Sequence, residues 1–98
     1  MSRPTCSPGL TRFDIPLRPK DGSKHYVLSV DTEEIIVPSV GDSIGIDVDY
    51  GITGEVMSVD IFPTCNPMVY VVCRSLFPDD AAEAEKIVEV AKSKGWRV

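Results

Sequence analysis

The chain has one histidine, one tryptophan and three cysteines among 98 residues, and each scarcity removes a class of chemistry. His25 with Cys6, Cys65 and Cys73 would number four zinc ligands, but their positions are scattered and no Cys-x-x-Cys pair occurs. Glycine-rich phosphate loops, a Gly-x-Ser-x-Gly elbow and a His-Glu-x-x-His pair are all missing, so no catalytic residue, metal or other cofactor is assigned. No apolar run approaches the length of about 18 residues that a membrane helix requires, and Met1 to Gly9 lack the apolar stretch of a secretory signal. These absences lead to the expectation of a soluble, cytoplasmic protein without a membrane partner. Ten basic against fifteen acidic residues give a net charge of −5, which argues against nucleic-acid binding by bulk electrostatics.

Residues 1–9 hold two prolines, a glycine and two serines, a composition that resists helix and strand and predicts a flexible tail ahead of one domain over residues 10–98. Phe13, Ile15 and Leu17 then alternate with Arg12, Asp14 and Pro16, the two-residue period of a half-buried strand. Pro16 cannot donate to a ladder, so this strand is expected to lie at a sheet edge or to end there. Asp21-Gly22 supplies a turn, and Tyr26, Leu28 and Val30 form the apolar face of a second strand, giving a hairpin. Ile35-Ile36-Val37, closed by Pro38, reads as a brief strand or extended link. Ile44, Ile46, Val48 and Tyr50 alternate with Gly45, Asp47 and Asp49, which predicts a strand running to Tyr50 and a turn at 51–54. Met57, Val59 and Ile61 share the next face, with a bulge expected near Glu55-Val56. Met68 to Cys73 is apolar on both faces, as in a central strand.

Pro78, Asp79 and Asp80 suit the start of a helix, while Lys92, Lys94 and Gly95 suit its end. Between them Ala84, Ile87, Val88 and Ala91 form a narrow apolar stripe. The fold class expected is α+β: a small, strongly bent antiparallel sheet of about five strands, or a partly open barrel, with one C-terminal helix packed on it. The layout of residues 37–44, Gly54-Glu55-Val56 and 68–73 resembles that of small SH3-like barrels, a likeness that implies topology and no function.

Residues 31–62 carry eight carboxylates and no lysine or arginine, whereas the basic residues gather on either side. This stretch fits a face that meets a basic partner, one that pairs with the basic third of a second copy, or one neutralised within its own chain. Asp47-Val48-Asp49 looks like the start of a calcium loop, but Glu55 comes too early to complete it. Asp47, Asp49, Tyr50, Phe62, Cys65 and Trp96 are the candidate interaction residues: two carboxylates, three aromatics at turns and a loop thiol. The expected function is that of a small interaction module, self-associating as a homodimer or docking a protein partner through a sheet face. Two alternatives stand beside it. One is a small-molecule binder or minor enzyme with a pocket between helix and sheet, lined by Tyr70, Met57 and Trp96; the other is an acidic mimic of nucleic acid acting on a basic protein.

Overall fold

The computed structural model describes residues 10–98, so the expected N-terminal tail lies outside the described residues. Five strands, β1 (Thr11–Leu17), β2 (Tyr26–Thr32), β3 (Ser43–Asp47), β4 (Ile52–Ile61) and β5 (Val69–Cys73), are followed by the helix α1 (Ala81–Ser93). They form one curled, half-barrel sheet in the order β2-β1-β5-β4-β3 with the helix at its C-terminal end, in keeping with the expected α+β class. The sheet is mixed where a wholly antiparallel one was expected, because β1 pairs antiparallel with β2 and parallel with β5.

Of the two courses expected for a strand with Pro16, β1 does not take the edge; it is an interior strand that ends one residue after the proline, which is accommodated by two local features. Ser29 gives its backbone N–H and C=O to Arg97 on the outer edge of β2, so its partner Asp14, and by alternation Pro16, make no backbone bonds across the hairpin. On the other flank the parallel ladder lapses between the Asp14–Val72 pair and the Leu17–Leu76 bridge, and Pro16 sits in that lapse, its carbonyl accepting from Leu76 N–H.

The inward face of β1 is as the alternation predicts: Phe13, Ile15 and Leu17 are buried, with Leu28, Val69, Val71 and Cys73 beside them. Enclosing an aliphatic side chain of this size contributes about 1.5–3 kcal/mol. In β4 a bulge at Met57, between the Val56–Cys73 and Ser58–Val72 pairs, brings Val56 and Val59 to the same face although they are three apart. Met57 and Ile61 are accordingly half-exposed, so the expected face of Met57, Val59 and Ile61 is retained only at Val59. Ala84, Val88 and Ala91 close the core from the helix side. Asp80 caps the helix by accepting from Glu83 N–H at 2.9 Å, and Gly95 ends it with φ of 92°. Trp96 then turns inward and is 7% exposed.

β3 stops at Asp47, three residues before the alternation does. The Asp47 carboxylate accepts from the N–H groups of Asp49 at 2.7 Å and Tyr50 at 3.1 Å, a local turn that outcompetes the ladder. Val48 is left 91% exposed, and the chain reverses at Gly51 with φ of 67°. Gly54, expected in the turn, is instead a buried residue of β4. A methyl group there would lie 3.0 Å from Ile15 Cδ1 and 3.2 Å from Cys73 Cβ. Gly54→Ala is therefore expected to lower stability by about 1–3 kcal/mol through overpacking. Ile15→Val, which removes the nearest atom, should cost less in the Gly54→Ala background than alone; a denaturant double-mutant cycle with no coupling would refute this account.

Candidate functional site

The outer face of the sheet, away from the core, carries a polar network across three strands. Arg12 on β1 donates to Asp31 on β2 through Nε at 2.7 Å and a terminal nitrogen at 3.3 Å, and Arg97 donates to the same carboxylate at 3.1 Å. Asp14 accepts from the Ser29 hydroxyl at 2.5 Å and from the Tyr70 hydroxyl on β5. The hydrogen bond from Arg12 holds the Asp31 carboxyl below its ordinary range, with Arg97 adding to the effect, and the bond to Asp14 raises Tyr70 above the ordinary phenol value. These groups satisfy one another, which makes this face a structural lock more than a receptor.

The six candidate interaction residues do not share a surface. Asp47 is buried at its turn, with Lys94 Nζ 3.7 Å from its carboxylate, so it does not face outward with Asp49 as the alternation predicts. Asp49 and Tyr50 are exposed at the same turn. Phe62 and Cys65 come together in another loop, lining a hollow of about 320 Å³ with Arg12 and Tyr70. Trp96 belongs to the core. Cys73 is buried, which pushes its thiol up to about 11, while Cys65 is exposed. Among the described residues no three His, Cys, Asp or Glu side chains gather as a metal ion requires.

Three of the eight carboxylates in the acidic stretch are answered from outside it. Asp31 meets Arg12 and Arg97, Asp47 meets Lys94, and Glu55 lies 3.4 Å from Arg74. With Lys20 paired to Asp79, the described cations that have no carboxylate partner are Arg18, Lys24, Lys86 and Lys92. Three of these four line one groove of about 750 Å³ between the start of β2 and the outer flank of α1. The volume is within the range of about 300–1,000 Å³ usual for binding sites.

Local structure explains why the groove has this lining. Ala82, Glu85, Glu89 and Lys92 recur at helical spacing and form one flank, with Lys86 beside them and Val88 at the base. Lys24, His25, Tyr26 and Val27 form the opposite flank, where the chain leaves its turn and becomes β2. Lys24 Nζ stands 5.1 Å from the centre of the Tyr26 ring, and Val27 and Val98 are each half-exposed. Because Ser29 turns its backbone groups to the outer edge, alternation turns those of Val27 the same way, into the groove. A pocket between helix and sheet was an expected alternative, but Tyr70, Met57 and Trp96 do not line this one. The residues that do were missed because a lysine's lack of a partner is a tertiary property; the only local signal is that Glu85, Lys86, Glu89 and Lys92 all point away from the core.

No helix of the described residues is long and apolar enough to cross a membrane. Comparison with protein-family models, with characterised proteins and with solved structures finds no match.

The network on the outer face yields a pH dependence. The folded Asp31 carboxyl binds its proton less tightly than the unfolded one, so its contribution is present above the usual carboxylate value near pH 4 and is lost as pH falls below it. Asp31→Asn is expected to cost about 1 kcal/mol at neutral pH, a figure that allows for solvent screening of its partly exposed arginine partners. It should also flatten the acid limb of the stability curve, and an acid limb as steep as the parent's in a pH series of urea melts would contradict the assignment.

Proposed function

We propose that the protein is a non-enzymatic interaction module that holds an extended, acidic segment of a partner protein in the groove between α1 and β2. The observation that carries this reading is the convergence of Lys24, Lys86 and Lys92, none paired within the described chain, in a protein of net charge −5. An acidic molecule that gathers three ammonium groups, none in an ion pair, against two carboxylates around one concavity keeps a local positive excess suited to carboxylates. Glu85 and Glu89 in the same lining set the positions at which an incoming carboxylate is disfavoured, which gives register as well as attraction.

The outer edge of β2 supports an extended occupant. Backbone N–H and C=O groups of Val27 face the groove, so a segment in β conformation gains main-chain bonds there while its apolar side chains meet Val27, Val88 and Val98. Acidic side chains alternating with aliphatic ones would then address the lysines and the base in turn.

The test is fluorescence anisotropy with a labelled octapeptide of alternating glutamate and valine. Binding is expected at low salt, weakened about tenfold by Lys86→Glu with Lys92→Glu and unaffected by Asp49→Asn at the distant turn. Absence of binding, or equal binding to the lysine variant, would overturn the reading. Both lysines are exposed, so the thermal midpoint of the variant should match the parent within a few degrees.

A further inference from the structure

Residues 33–40, most of the link between β2 and β3, form an exposed apolar run among the described residues. Ile35 is 50% exposed, Ile36 40%, Val37 56% and Val40 68%, and residues 35–39 belong to no helix or strand. The segment is nevertheless fixed. The buried Thr11 hydroxyl donates to the Glu34 carbonyl at 2.7 Å and accepts from Ile36 N–H at 2.9 Å. Farther along, Gly41 N–H donates to the Val56 carbonyl at 2.9 Å. Glu33 and Glu34, immediately before the aliphatic run, are exposed and make no ion pair among the described residues.

From these features we infer that the protein forms a closed dimer in which the strap of residues 33–40 of each copy occupies the α1–β2 groove of the other. The inference rests on the groove reading above and names its occupant. Charge is complementary: two unpaired carboxylates lead the strap, and the groove lining carries three unpaired ammonium groups against Glu85 and Glu89. Apolar character is complementary too, since half-exposed Ile35 and Val37 would cover half-exposed Val27 and Val98.

Position excludes the strap of the same chain. The groove lies at the first residues of β2 and the strap leaves its last, and a strand of this length separates them by about 20 Å. The same separation supplies the symmetry. When two copies set their β2 edges side by side and antiparallel, the start of each strand meets the end of the other, so both straps reach both grooves at once. Ser29, midway along β2, already has its edge groups bonded to Arg97. The strands therefore meet at their two ends and do not zip into a continuous sheet.

The experiment is light scattering and sedimentation over a concentration series, on the parent chain and two charge-reversed variants. One carries Glu33→Lys and Glu34→Lys on the strap; the other carries Lys86→Glu and Lys92→Glu in the groove. The parent is expected to dimerise, and either reversal to raise the dimer dissociation constant about a hundredfold, because a two-fold axis applies each change twice. Mixed in equal amounts, the two variants should recover a dimer close to the parent's in affinity, since each mismatched contact is then matched. A parent chain that is monomeric throughout would overturn the inference, as would a dimer indifferent to both reversals. The glutamate–valine peptide separates the two levels: if it binds a monomeric parent, the groove reading stands and only the occupant is wrong.

Discussion

Two antiparallel pieces, the β1–β2 hairpin and the β3–β4–β5 meander, are joined into one sheet by the parallel pairing of Thr11 to Asp14 with Val69 to Val72. Remove that pairing and each piece is a small ribbon with one face it cannot bury. With it, Phe13 and Ile15 are set beside Val69, Val71 and Cys73, and the helix has an enclosed apolar surface to cover. Two details protect the joint. Met68 N–H bonds the Leu10 carbonyl at its start, and at its end Leu76 donates to the Pro16 carbonyl and accepts from Arg18 N–H. The polar face of the same strands holds Arg12, Asp14 and Tyr70 in a network whose partners come from β1, β2 and β5, so a slip of register would unpair charges as well as expose the core.

This arrangement leaves the two strands that are consecutive in sequence, β2 and β3, at opposite edges of the sheet. The chain must cross from one edge to the other, and the curl of the sheet shortens that crossing. Thr11 is the fixed point over which it passes, a buried hydroxyl satisfied as both donor and acceptor by the passing backbone. The exposed aliphatic strap and the lysine-lined groove thus both follow from the sheet order. One is the cost of reaching β3, and the other is the space left where α1 returns beside the free end of β2.

Much of the fold was legible because it depends on local chemistry. Alternation in β1 placed Phe13, Ile15 and Leu17 correctly, and the acidic start and Lys-Gly end of the helix located α1 to within a few residues. Illegible features were those decided by competition or by distance. Asp47 continues an apparent strand by period, but its short carboxylate prefers the neighbouring N–H groups, and nothing in the alternation shows that preference winning. Gly54 resembles a turn glycine, and only the approach of Ile15 and Cys73 gives its reason. Of the candidate site, the exposure of Cys65 and Asp49 was legible, but alternation put Tyr50 on an apolar strand face, and neither its exposure, that of Phe62, nor the separation of the two loops was visible. A pocket between helix and sheet was open to sequence reading, but its lining was not, because Lys24 and Lys92 become neighbours only when β2 and α1 fold to the same side.

The parallel joint also sets an order of events in time. Its partners lie more than half the chain apart, whereas the hairpin and the meander close over short turns. Local hairpins form in about 1–10 μs, but closing a long loop demands entropy before any contact compensates for it, and topologies rich in such contacts fold in about milliseconds to seconds. The hairpin and the meander therefore have time to assemble and come apart repeatedly before they meet. During that interval β1 and β5 are both open edges, the second rich in valine, and both able to recruit the wrong neighbour. Arg12 and Asp14 make the β1 edge charged while it waits, so the residues that later lock the register also discourage edge-to-edge pairing of that strand.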